Sequence, residues 1–152
     1  MIEQIDLYVG NDSNSYNAGV AADIINGYVL YPGEVFSFNT VVGMRTSAKG
    51  FINGIMYVTV DGEKATKEAM GSGVCRISTA LFQAANDVGF DIIERHNHAY
   101  ESTYAALGND AAVMYGILDN QFRNNCEFPI RIKCWLENRR VIVVQFYRIV
   151  SG

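Results

Sequence analysis

The run Gly71-Ser72-Gly73-Val74-Cys75 constrains the fold more than any other stretch of the chain. Two glycines in three residues mark a tight, non-helical loop. Directly behind it, Val74, Ile77, Leu81, Ala85 and Val88 recur at helical spacing, which predicts an amphipathic helix ending near Val88-Gly89. Cys75 therefore belongs in the first turn of a helix whose other face is core. The first N–H groups of a helix have no intrahelical partner, and its dipole is positive at that end. A thiolate there is stabilised and becomes a usable nucleophile near neutral pH. The competing reading is a small buried cysteine behind a flexible turn, since free cysteine is commonly buried.

The flanking patterns are those of an α+β domain. Residues 2–9 alternate as a strand. Asn11-Asp12-Ser13 supplies an N-cap for a helix over residues 16–25, with Val20, Ala21, Ile24 and Ile25 as its stripe and Asn26-Gly27 as its stop. Short strands follow at 28–31 and 34–38 around the turn Pro32-Gly33, then a glycine-rich loop to Gly50. Asp61-Gly62 between two alternating runs predicts a hairpin that leads into the glycine loop. Residues 91–98 and 111–118 read as strands, 100–110 as a loop and 119–128 as a polar connection. Residues 130–136 and 141–149 read as a last hairpin, in whose first arm Ile130, Ile132, Cys134 and Leu136 share a face. The sum is a single domain spanning residues 1–152, mostly antiparallel sheet with two helices, the nucleophile-bearing one after the glycine loop.

Composition excludes several classes. At 152 residues, 49% hydrophobic and 18% charged, the chain can bury a core without staples. A net charge of -4 with scattered cations leaves no surface for nucleic acid or for anionic membranes. The three cysteines form no CxxC spacing, which argues against a structural zinc site. Cys126 and Cys134 could pair, but Cys134 reads more simply as core. No signal peptide or membrane span is visible, so the expectation is a cytosolic protein or a domain of a longer exported one. Oligomeric state is not legible.

A cysteine nucleophile needs a base, and both histidines of the chain lie in Arg95-His96-Asn97-His98. Either imidazole could take the thiol proton and then stabilise the thiolate as imidazolium. As a strand, this segment would put His96 and His98 on one face. A third polar group normally fixes the tautomer, and Asp110 and Asp119 are the candidates. Backbone N–H groups near Cys75 could form an oxyanion hole. Arg76, Arg95 and Arg123 could hold a substrate carboxylate. A metal site built from His96, His98, Cys75 and an aspartate is chemically possible, but ranks below nucleophile chemistry because the glycine loop would serve no purpose in it. No cofactor is called for.

These motifs resemble the VanW domain family. Asn26-Gly27 with Pro32-Gly33-Glu34-Val35-Phe36-Ser37-Phe38-Asn39 fits an NG…PGExFSFN segment. Val42-Gly43, Arg45-Thr46 and Gly50-Phe51 fit the next stretch. Residues 71–79 fit GGGxCQxSS, and Glu94-Arg95-His96-Asn97-His98 fits ERHxH. Tyr104, Gly108, Asp110-Ala111, Tyr115-Gly116, Asp119, Phe122, Asn124 and Pro129-Ile130 complete the series. The resemblance implies a peptidoglycan context in the Gram-positive cell envelope, with stem peptides as partners. It implies an L,D-transpeptidase-like or carboxypeptidase-like reaction in which Cys75 attacks the L-to-D peptide bond of a donor stem. His98 or His96 would act as base with Asp110 behind it. Gly71, Ser72, Gly73, Arg76, Arg95 and Tyr104 would line the substrate side. The alternative it carries is a non-catalytic envelope-binding or glycopeptide-resistance accessory domain. This chain departs from the family pattern at Ser72, Arg76 and Thr79. Ser72 is expected to restrict the loop, and Arg76 to add a cation beside the nucleophile.

Overall fold

A computed structural model describes residues 1–100 and 102–150. It is an α+β fold built from antiparallel sheets. The strands are β1 (Glu3–Tyr8), β2 (Val29–Leu30), β3 (Val35–Ser37), β4 (Asn53–Val60), β5 (Glu63–Met70), β6 (Asp91–Glu94), β7 (Gln121–Arg123), β8 (Ile130–Glu137) and β9 (Val141–Arg148). The helices are α1 (Ser13–Ile25), α2 (Phe38–Val42) and α3 (Cys75–Asp87), with a 3₁₀ turn at Ser47–Lys49. One sheet has the order β1-β9-β8-β2, a second β3-β7-β6, and β4-β5 is a separate hairpin.

The main sheet grows from the alternation read in β8. Ile130, Ile132 and Cys134 are fully buried while Arg131 and Lys133 are exposed. Helix α1 packs on β8, and α3 packs on β1 and β9. Cys134 is core, its Sγ 3.2 Å from the Ala22 carbonyl, and burial pushes its thiol up to about 12. Cys126 and Cys134 are both free thiols, so the pairing considered for them does not form.

An aromatic column joins the two larger sheets. Phe36 stacks on Phe122 at 4.9 Å, Phe122 on Phe90 at 6.1 Å, and Phe90 on Phe146 at 5.8 Å. The first two rings come from β3 and β7, the last from β9. Burying each such side chain contributes on the order of 2 kcal/mol.

Both long helices form where the periodicity places them. Asp12 caps α1, its carboxylate accepting from Ser15 N–H. The buried stripe of α1 is Ala18, Ala21, Ala22 and Ile25, whereas Ile24 is 39% exposed. The β4–β5 hairpin turns at Asp61 and Gly62, both at positive φ, as a two-residue turn between twisted strands requires.

Four expectations are corrected. The loop to Gly50 contains α2, capped by Ser37, whose hydroxyl accepts from Thr40 N–H at 3.2 Å. The connection at 119–128 contains β7, which pairs with both β3 and β6. Strand β6 ends at Glu94, short of both histidines, and Ile93 is exposed beside a bulge. Residues 111–118 carry only an isolated bridge, Met114 to Leu118. The loop expected over residues 100–110 is found apart from Glu101, which lies outside the described residues.

Candidate active site

The glycine loop exists because two segments approach it too closely for side chains. Gly71 and Gly73 sit at φ +77° and +110°. A Cβ on Gly73 would lie 2.2 Å from the Asn14 carbonyl oxygen, and one on Gly71 would lie 2.3 Å from Arg45 Cβ. Ser72 is not among the positive-φ residues, so a side chain there causes no backbone strain, contrary to expectation. Asn17, wholly buried on α1, holds the loop: its amide donates to the Ser72 carbonyl at 2.7 Å and the Ile52 carbonyl at 2.9 Å. Asn14, one turn earlier, does the same for the start of β4 by bonding both the N–H and the carbonyl of Ile55.

Cys75 opens α3, as the spacing predicts. The Arg76 N–H is taken by the Gly73 carbonyl at 3.0 Å. Among the described residues the Cys75 N–H meets no acceptor. The backbone of Val113 flanks the sulfur, its N–H and its carbonyl both 3.5 Å from Sγ. This explains the apolar run at 111–113. It is buried against α3 rather than in a sheet, and Ala111 N–H is bonded to Thr79 Oγ1 at 3.1 Å.

The two histidines part company here. Beyond Glu94 the backbone is irregular, so the shared face of a strand is lost. His96 turns outward and bonds Glu94 through Nε2 at 2.8 Å, both side chains more than a third exposed. His98 turns inward. Its Nδ1 lies 2.5 Å from Asp110 Oδ2, and the same oxygen accepts the His98 backbone N–H at 2.7 Å. An Nδ1–H bonded to a carboxylate leaves Nε2 for another partner. Burial alone would depress the His98 pKa. The hydrogen bond and charge of Cys75, with those of Asp110, override it and raise the value to about 9.

Asp110 is the centre of the polar cluster, with its side chain 1% exposed. Its other oxygen accepts from Gly108 N–H at 3.1 Å and Arg95 Nη2 at 3.2 Å. Burial works to raise its pKa. The His98 bonds and charge and the Gly108 N–H prevail and hold it below the ordinary carboxylate range. Asp119, the other candidate, is elsewhere: it accepts from Ser37, Gln121 and the N–H groups of Asn39 and Asn120, and so fastens the start of α2.

The remaining sequence candidates divide. Tyr104 joins the site, its hydroxyl 3.4 Å from His98 Nε2. Burial, and then the charge of Cys75, raise its phenol pKa. Arg95 donates to the Asp110 carbonyl at 2.7 Å and to Asn97, so it supports the carboxylate rather than facing outward. Arg76 is spent on the framework, donating to Asp12, to Ser15 Oγ and to the Val9 carbonyl, each at 2.7–2.8 Å. Arg123 lies 3.9 Å from Asp91 at the surface. Among the described residues no three His, Cys, Asp or Glu side chains are placed to hold a metal ion, and His96, one of the ligands considered, is turned toward Glu94.

Pattern reading missed Arg45, Asn14, Asn17 and the Val113 backbone. Arg45 sits in an irregular loop with no periodic signal. The two asparagines carried one, being polar at i and i+3 on a helix. Val113 acts through main-chain atoms, which no side-chain motif reveals.

The His98 pKa makes a direct prediction. Its imidazole should titrate near 9 by NMR in the parent and distinctly lower in Cys75→Ala, because one of the two partners holding its proton is gone. A raised histidine pKa contributes stability that is fully present below the unfolded value near 6.5 and is lost as pH rises through about 9. Urea midpoints should therefore fall between pH 6.5 and 9.5, and fall less in His98→Gln. A parent His98 titrating at the ordinary value would refute the pairing.

A family model described as VanW like protein matches residues 13–147. An uncharacterised protein of Bacillus subtilis, YoaR, is 38% identical over 136 residues, covering 86% of this chain and 44% of its own. The vancomycin B-type resistance protein VanW of Enterococcus faecalis is 27% identical over 154 residues, covering 93% of this chain and 54% of its own. The chain thus spans about half the length of these relatives. No solved structure matches it. Among the described residues no helix is long and apolar enough to cross a membrane.

Proposed function

Because this chain belongs to the VanW-like family, we propose that it is the acyl-transfer module of a cell-envelope protein, acting on peptidoglycan stem peptides through Cys75. What supports this reading is the His98–Asp110 pair, 2.5 Å apart, together with the thiol that opens α3, whose hydrogen bond and charge help to raise the His98 pKa. That is the arrangement of an activated nucleophile, a base and an orienting acid. A histidine held protonated near neutral pH suits a thiolate–imidazolium pair.

The Cys75 sulfur attacks the carbonyl carbon of the L-to-D peptide bond, forming a C–S bond. The unpaired Cys75 N–H is available to the developing oxyanion. The C–N bond breaks as the His98 imidazolium gives its proton to the leaving amine, and the terminal D-residue departs. An acceptor amine then attacks the thioester carbon, His98 takes its proton, the C–S bond breaks to return the Cys75 thiolate, and a cross-link results. Water in place of the amine gives a trimmed stem. Tyr104, beside Nε2, and the backbone of Gly71, Ser72 and Gly73 border the space where the peptide would lie.

The test is capture of the intermediate. Incubation with a disaccharide-tetrapeptide should release one D-amino acid per thioester formed, and intact-mass spectrometry should show the adduct on Cys75. Cys75→Ala should show neither. A parent that stays unmodified while the peptide stays whole would end this reading. The name of the Enterococcus relative supports a second one, an accessory role in glycopeptide resistance by binding stems without cleaving them. That role predicts stem-peptide binding that survives Cys75→Ser, with no adduct.

A further inference from the structure

Beside the glycine loop lies a cation that pairs with no carboxylate among the described residues. Of the arginines around the site, Arg76 is paired with Asp12 at 2.7 Å and Arg95 with Asp110 at 3.2 Å. Arg45 is half-buried, and among the described residues no carboxylate lies within ion-pair distance of it. Neutral groups hold it instead. Nη1 donates to the Gly43 carbonyl and Nη2 to Asn39 Oδ1, both at 2.8 Å. The guanidinium lies 5.2 Å from the centre of the Phe38 ring and 5.8 Å from that of Tyr115. Two of its five N–H donors are thereby used. The carboxylate of Asp119 is saturated by its own four donors.

Arg45 also lies near the thiol: its guanidinium approaches the ring of Tyr115, two residues past the Val113 backbone that flanks Sγ. The Arg45 Cβ backs onto Gly71, in the loop that delivers Cys75. Burial pulls its pKa down, while the charge of Cys75, ahead of those of Asp119 and Tyr115, supports the cation. A cation taken out of water without a counter-charge is costly, so a rigid and unpaired one beside a nucleophile is a site for an anion. In a peptide whose scissile carbonyl sits on Sγ, the nearest anion is the carboxylate of the residue just after the cleaved bond. One further residue moves that carboxylate about 3.8 Å away.

We propose that Arg45 anchors the C-terminal carboxylate of the donor peptide, so that the site selects stems ending one residue beyond the L-to-D bond. This rests on the acyl-transfer reading for its choice of peptide, but the binding it asserts can be measured without turnover. Titrating Cys75→Ala with disaccharide-tetrapeptide acid and with its C-terminal carboxamide should show the acid bound about a hundredfold more tightly, the loss expected when a charge-assisted bidentate contact is removed. Adding Arg45→Gln should collapse that ratio to near one, and Arg45→Lys should restore part of it. A purely structural role for Arg45 would leave the ratio untouched. The inference is overturned if acid and amide bind equally with Arg45 present, if neither binds, or if the preference survives Arg45→Gln. A preference that depends on Arg45, in a parent that forms no thioester, would sink acyl transfer and leave the anchor standing.

Discussion

Asp110→Asn should lower the rate of thioester formation by about a thousandfold or more, the scale seen when the orienting acid of a triad loses its charge. The carboxylate accepts two bonds from His98 through one oxygen and two more, from Gly108 and Arg95, through the other. An asparagine amide cannot accept on both sides. If its NH₂ faces His98, it opposes the backbone N–H and forces Nδ1 to become an acceptor. Nε2 then carries the proton and cannot take one from the thiol. If its NH₂ faces Arg95, a partly buried guanidinium loses its counter-charge. Either orientation leaves a buried charge unpaired, at a cost of about 3 kcal/mol. That is a large share of the stability of a domain this size, and urea denaturation will show it.

The pH dependence separates the stability effect from a general weakening. A depressed carboxylate pKa contributes stability that is present above about 4 and is lost as pH falls through the folded value. The parent should therefore lose stability on acidification more steeply than Asp110→Asn. Parent-like acylation by the asparagine variant would remove Asp110 from the mechanism.

Gly73→Ala should destabilise the fold by about 3 kcal/mol or more. At φ +110° a side chain costs about 1–3 kcal/mol in backbone strain alone. The new methyl would also lie 2.2 Å from the carbonyl oxygen, 2.4 Å from Cα and 2.6 Å from the carbonyl carbon of Asn14. These are backbone atoms in the first turn of α1, so no rotamer change relieves the overlap, and overpacking adds about 1–3 kcal/mol. The strain pries α1 from the loop that carries Cys75, so alkylation of the thiol should slow as well. Ser72→Gly is the control next door, expected to cost about 1 kcal/mol or less. A Gly73→Ala variant with an unchanged urea midpoint would mean that α1 and the loop are not in contact.

How much of this could be read from the chain varies with the length and regularity of each segment. β8, β9, α1 and α3 are long enough to show a period, and each was legible because one face is buried along its whole length. β7 was not: in Gln121–Arg123 only Phe122 is buried, and three residues carry no alternation. α2, at five residues, is defined by its Ser37 cap rather than by a stripe. The apolar run at 111–113 misled because burial alone suggested a strand. Two of its three N–H groups go to Thr79 Oγ1 and Cys75 Sγ, acceptors that a strand pattern takes no account of, and the third, of Ala112, goes to the His96 carbonyl.

The sequence by itself narrowed the chemistry to one helix-initial cysteine and two histidines. Position at a helix start and residue scarcity are local properties of a chain. Which histidine turns inward was decided only in three dimensions. His96 and His98 are two residues apart, and what separates them is a partner: Glu94 beside one, and Asp110, twelve residues further on, beside the other. The same holds for the arginines. Arg76 and Arg95 looked like substrate ligands by proximity in sequence, yet the fold spends both on carboxylates and leaves Arg45, thirty residues upstream of Cys75, without one. Which charges end up paired depends on which distant segments the packing brings together, and no local period encodes that.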